Sequence, residues 1–221
     1  MRKAPCWRLR YLPERSATEA RLRDTVIQAL EGMQDDGTVA SWVATIYEPE
    51  VHAFGGTDGM ATAHRLFHHD SQHILARPAG PSDHRREHTI LLCGVMMRAA
   101  GQDWYEQGDV WARVADNRPL HQRRRDQLQS LFSGLRRLLS VDAGPGSPLA
   151  APKGQLADIA GWINTFHEAG KDLGGFSRRG ELTRGLRAVL AHHVIFHWNR
   201  LGLSYETQSV LAAAARDAVF G

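Results

Sequence analysis

The chain has 221 residues, 43% hydrophobic and 23% charged, with a formal net charge of +3. That composition supplies one ordinary core, and the basic residues are spread too evenly to form the stripe that a nucleic acid selects. No apolar run reaches the ~20 residues of a membrane-spanning helix, no apolar signal core follows Met1-Arg2-Lys3, and Cys6 and Cys93 lack CxxC spacing, so a cytosolic protein with two reduced, buried thiols is expected.

Cys6 to Leu12 alternates Trp7, Leu9 and Tyr11 with Arg8 and Arg10, the period-two pattern of a strand with one buried face. Ser16 is placed to cap a helix running to about Met33, with Leu22, Val26, Ile27 and Leu30 on one face and Asp35-Asp36-Gly37 as its stop. Val39 to Tyr47, rich in β-branched and aromatic residues, reads as a second strand ended by Pro49 and Gly55-Gly56.

From Thr57 the pattern becomes helical. Met60, Ala63, Leu66, Phe67, Ile74 and Leu75 suit one amphipathic helix; Asp83 can cap the next, with Ile90, Leu91, Val95 and Met96 inward. After Gly101 comes a segment with Trp104, Val110, Trp111 and Val114, closed by Pro119, then a helix from about Arg123 to Leu139. Residues 141–154, rich in glycine and proline, read as a flexible loop or linker. Helices near Gln155 to Ala169, Arg179 to Trp198 and Tyr205 to Phe220 complete the chain. The expectation is an α+β class: one helix-rich domain over 1–221 with a small N-terminal antiparallel sheet.

The pairs His64/His68, His69/His73 and His193/His197 have the i,i+4 spacing that lets two imidazoles meet one ion. No third ligand is announced by HExxH or paired cysteines, so no metal and no cofactor is expected. Arg123-Arg124-Arg125 reads as a solvated helix face, and Trp104, Trp111 and Trp162 as core. Gly55-Gly56 lacks the lysine and Ser/Thr of a phosphate loop, so nucleotide binding is not indicated.

Three segments concentrate the remaining chemistry. Tyr47-Glu48-Pro49-Glu50 leads into the Gly55-Gly56 turn; Asp70-Ser71 sets a hydroxyl beside a carboxylate, suited to relaying a proton or binding a carbonyl on which charge builds. Asn199-Arg200 follows His193 and His197 where a helix ends at Gly202, and these side chains suit peptide carbonyls and carboxylates. Local helix hydrogen bonds or a helix-terminating ion pair account for the same residues without a function.

Together with Phe67-His68-His69 before Asp70, Trp7-Arg8-Leu9-Arg10 and Asp109-Val110-Trp111-Ala112-Arg113-Val114-Ala115, these segments resemble the thiopeptide-type bacteriocin biosynthesis domain. That family is related to the glutamate-elimination domain of lantibiotic dehydratases. The resemblance implies a ribosomal precursor peptide as substrate, dehydrated and azole-containing, recognised with its leader, in company with other biosynthetic enzymes. One branch eliminates glutamate from glutamylated Ser or Thr. The other joins two dehydroalanines by a formal four-plus-two aza-cycloaddition, forming the pyridine macrocycle with loss of water and leader. Neither uses a redox cofactor.

Eliminating relatives usually read Arg-Tyr-Gly-Gly where this chain has Ala53-Phe54-Gly55-Gly56, so the arginine for the glutamyl group is missing at that position. The expectation is therefore a stand-alone pyridine synthase. Ser71, Asp70, Glu50, Tyr47, His193 and His197 are the expected catalytic residues, and Asn199, Arg200, Gly55 and Gly56 the substrate-binding ones. Arg178, Arg179 or Arg200 are the candidates to replace the missing cation. The alternatives are a glutamate-eliminating lyase and a non-catalytic leader-peptide binding protein.

Overall fold

Helix is the only regular structure among the described residues, and the sequence explains most of where it starts and stops. The computed structural model describes residues 8–11, 19–77, 84–120 and 125–221, and the side chains of all of these except 125–130. They fall in two compact units, Met1–Pro49 and Glu50–Gly221.

The first unit contains α1 (Glu19–Asp35), on which Leu22, Val26, Ile27 and Leu30 are half-buried. Asp36 and Gly37 end it: Gly37 adopts positive φ, and Val39 N–H returns to the Met33 carbonyl at 2.8 Å. Ser16, the expected cap, lies outside the described residues. The expected antiparallel sheet is corrected here, because neither 8–11 nor 39–49 is a strand. A period-two pattern shows only that one side of an extended chain is apolar, whereas a strand exists through a hydrogen-bonded neighbour. Among the described residues no second segment pairs with 39–49, and Val43 and Ile46 are 80% and 91% exposed. The rest of the first expected strand, Cys6, Trp7 and Leu12, lies outside the described residues.

The second unit is a bundle of α2 (Thr57–Leu75), α3 (Arg85–Ala99), α4 (Trp104–Asn117), α5 (Arg125–Ser140), α6 (Ala160–Arg178), α7 (Leu186–Arg200) and α8 (Tyr205–Phe220). Every residue of α3 from Thr89 to Met97 is buried, so this helix is central rather than amphipathic. It packs on α6, which also holds α2; α8 lies against α4 and α5, and α4 meets α7. The run Ala212-Ala213-Ala214-Ala215 gives α8 the slim profile needed between its neighbours. An Asp103–Glu106 capping box fixes the start of α4, satisfying two backbone N–H groups reciprocally. Cys93 is fully buried on α3, and burial pushes its thiol pKa up.

Boundaries around α6 and α7 differ from the sequence reading. Helix α6 runs from Ala160 to Arg178 rather than from near Gln155 to Ala169, and α7 begins at Leu186 rather than Arg179. Gly170 and Gly174 lie inside α6 where it touches α3: a Cβ at Gly170 would clash with the Met96 carbonyl oxygen, and one at Gly174 would stand 2.7 Å from that of Ala100. The 141–154 segment forms a succession of tight turns, with Ser147 N–H bonded to Gly144 and Ala150 N–H to Ser147. Ala143, Ser147 and Ala150 are buried along it.

Alanine at position 170 gains helix propensity worth ~1 kcal/mol but must push α3 away from α6, and overpacking of this kind costs about 1–3 kcal/mol or more. Gly170→Ala is therefore expected to lower the urea midpoint with an unchanged m-value, whereas Gly134→Ala, where a Cβ meets nothing within 4 Å, leaves it level or higher.

Candidate functional site

The Gly55-Gly56 turn joins Glu50–Phe54 to α2. Both glycines have positive φ, 83° and 109°, and Gly56 is the N-cap of α2. The Gly55 carbonyl accepts from Thr183 N–H at 2.9 Å, which ties the turn to the loop before α7. Any side chain at Gly55 would meet Leu182 and Val189 at 3.0 Å, so sterics and backbone conformation both require glycine.

Fourteen residues further along, Asp70 points into the bundle and is completely buried. Its Oδ1 accepts from Trp162 Nε1 on α6 at 2.8 Å. Its Oδ2 accepts from His197 Nδ1 at 2.9 Å and from Arg200 Nε at 2.8 Å, with Arg200 Nη2 at 2.7 Å. The carboxylate thus joins α2, α6 and α7. Burial by itself would raise the Asp70 pKa, but attraction and hydrogen bonds from His197 and Arg200 outweigh it, and the net shift is downward. Because a carboxylate only accepts, His197 Nδ1 carries a proton toward it, while Nε2 is buried without a hydrogen-bond partner. Arg200 is 18% exposed, with its guanidinium carbon 4.1 Å from the centre of the Phe67 ring.

Beside this polar knot stands an aromatic wall. Phe54 makes edge contacts with Phe67, Phe196, His192 and His193, and Phe67 stacks on Phe196 at 5.5 Å. His193 is fully buried and neither ring nitrogen has a partner; desolvation first, then the Arg200 and His192 charges, bring its pKa down to about 3. His192 is half-buried, and its pKa is lowered by burial and by Arg184, against the opposing pull of Glu50.

Of the expected site residues, Asp70, His197 and Arg200 are in direct contact, and His193 sits one turn before His197 against Phe54 and Phe67. Ser71 is half-buried and makes no hydrogen bond with the Asp70 carboxylate. Glu50 is exposed at the start of the turn, within electrostatic reach of His192. Asn199 is exposed and accepts from Gln208 Nε2 at 3.0 Å, while Gly202 ends α7 with Leu203 N–H on the Trp198 carbonyl. Tyr47 belongs to the first unit, where the Arg10 guanidinium lies 5.1 Å from its ring centre. Among the described residues no three His, Cys, Asp or Glu side chains form a metal-ligand group.

Trp162, Phe54, Phe196 and Arg184 were not singled out by sequence as site residues. Trp162 is 92 positions from Asp70 and only its indole N–H distinguishes it from any core tryptophan. Arg184 donates from Nη1 to the Ala53 carbonyl at 3.2 Å, bringing a guanidinium to the turn where position 53 carries none. Of the three arginines considered for that purpose, Arg179 is held by both carboxylate oxygens of Glu181, Arg200 is held by Asp70, and Arg178 is exposed at the end of α6.

Residues 1–219 match the family described as lantibiotic biosynthesis dehydratase C-term, and the chain belongs to it. That family serves in building modified ribosomal peptides, within dehydratase and elimination machinery that handles a precursor peptide and its leader. No curated protein and no solved structure matches the chain. No helix among the described residues is long and apolar enough to cross a membrane.

Two stability predictions follow from the buried charges. Asp70→Asn removes the buried charge that His197 and Arg200 engage and is expected to cost about 3 kcal/mol or more in denaturant unfolding. For His193, the folded pKa lies below the unfolded value of 6.5, so the unfolded chain binds the extra proton between about pH 3 and 6.5. Stability from this group is complete above pH 6.5 and is lost as pH falls, by ~1.4 kcal/mol per unit. Urea unfolding at pH 7.5 and pH 5 should show His193→Leu losing about 2 kcal/mol less than the parent between the two conditions. Equal losses would mean that His193 is not held neutral.

Proposed function

We propose that this protein is a pyridine synthase, closing a ring between two dehydroalanines of a precursor peptide. In the formal four-plus-two step one dehydroalanine and its tautomerised amide act as the azadiene. Two carbon–carbon bonds form: one between the two methylene carbons, the other between the imidate carbon and the substituted carbon of the second alkene. Water then leaves from the former imidate carbon and the leader departs as its amide, giving the aromatic ring.

The observation that carries this reading is the surface beside position 53. Ala53 has no charge and packs against the Phe54, Phe67 and Phe196 cluster, which borders His192 and the Arg200–Asp70 pair. Flat azole rings stack on such a wall, and holding two alkenes together is the main requirement, since orientation can supply ~7–11 kcal/mol. In this scheme Arg200 and Asn199 bind peptide carbonyls, and Asp70 and His197 hold the guanidinium in place. Ser71 and Glu50 assist the amide tautomerisation. His193, neutral and enclosed, accepts or returns a proton only when substrate replaces its aromatic cover. Gly55 and Gly56 hold the turn that carries Ala53 and Phe54.

Arg184 at the Ala53 carbonyl favours a second reading, glutamate elimination, because it supplies a cation from another part of the chain. Mass spectrometry on two substrates separates the readings. With a dehydrated, azole-containing precursor the expected product has lost leader and one water, and Ser71→Ala and Glu50→Gln should slow its formation about a hundredfold, as for a lost proton-transfer group. Arg184→Ala should leave that product unchanged. Release of glutamate from a glutamylated peptide, abolished by Arg184→Ala, would establish the lyase; tight binding with no mass change would establish a leader-peptide binding protein.

A further inference from the structure

A cleft of about 400 Å3 opens between the last turn of α3, α6 and the turns of 141–154. Arg98, Asp142, Gly144, Gly146, Ser147 and His167 are among its lining residues, and none of the Asp70 cluster is. The Arg98 guanidinium is bonded on one side only: Nη1 donates to the Leu139 carbonyl at 3.2 Å, and the buried Nη2 has no acceptor. Its strongest opposing charge is Asp142, which forms no ion pair with it and spends Oδ1 on the Gly144 N–H at 3.0 Å. Burial presses the Arg98 pKa below the ordinary arginine value, the sign of a cation that has given up water without gaining a counter-ion.

What such a site lacks is an anionic acceptor. A guanidinium offers the planar fork that a carboxylate fits, and a half-buried imidazole on the same cleft adds a further donor. The turn opposite is built from Gly144, Pro145 and Gly146, so no side chain beyond the proline ring fills the approach.

We propose that this cleft is a carboxylate-binding site, with Arg98 as the principal ligand and His167 as the auxiliary donor. The carboxylate comes either from an acidic side chain of a peptide or from a small free acid. The peptide source rests on the family's use of a precursor peptide; the carboxylate chemistry does not, and because it is read by binding it can fail or succeed independently of turnover.

The test is titration of the full chain with succinate and with a fluorescein-labelled Ala-Glu-Ala-Glu-Ala peptide, each beside a neutral counterpart, succinamide and the glutamine peptide. Saturable binding of at least one acid is expected, with its neutral counterpart at least about tenfold weaker. Binding of succinate alone assigns the site to a small acid, and binding of the peptide alone assigns it to an acidic peptide. Arg98→Met should weaken the bound acid at least about tenfold. Gly146→Asp should do the same by placing a negative charge in the cleft, and there a Cβ meets nothing within 4 Å, so the fold is preserved even where Arg98→Met does not fold. No binding of either acid, equal affinity for the neutral counterpart, or unchanged affinity in Gly146→Asp would overturn the proposal.

Discussion

The candidate site of this protein depends on the buried carboxylate of Asp70. A carboxylate excluded from water is stable only when its oxygens are fully engaged, and Asp70 meets that demand with an indole N–H, an imidazole N–H and a guanidinium drawn from two other helices. Because the partners come from α6 and α7, the requirement fixes the relative position of three helices around one point. Arg200 is the member that reaches toward solvent, so the charge buried at Asp70 acts outward through it. The aromatic wall is next to this point for the same reason: Phe67 precedes Asp70 by three residues on α2, and Phe196 and His193 precede Arg200 on α7. One polar knot therefore sets the register of the apolar surface as well.

Much of this was readable in the chain. The i,i+4 rhythm located the helices, Tyr205–Phe220 to the residue, and the side chains of Asp70, His197 and Arg200 were recognisable by type and by resemblance. Their direct contact was not, since nothing in sequence says which of several histidines and arginines closes on a carboxylate more than a hundred positions away. The sheet failed because the β-branched and aromatic content of Val39 to Tyr47 is a local signal, while pairing is not local. Gly170 and Gly174 are weak helix formers that nonetheless lie inside α6, because α3 comes too close there for a side chain, which only the packed structure reveals.

The histidines show how one residue type divides by surroundings. His193 and His197 are one turn apart on the same helix and both are buried, yet His197 is oriented by a carboxylate and His193 by rings alone. Helical spacing put them together as a possible metal pair. Their second-layer partners separate them, because a ring with a carboxylate behind it has a defined tautomer, whereas a ring among phenyl groups is chiefly a shape.

Cys93 carries a consequence for the chemistry proposed. Dehydroalanine is an electrophilic alkene, and a thiolate adds to its methylene carbon to form a stable thioether. In the centre of α3 the Cys93 sulfur is sealed from solvent and kept protonated, so it offers such a substrate no nucleophile. Placing this thiol within the buried stretch Thr89–Met97 keeps it from being alkylated by the peptide that the protein is proposed to process.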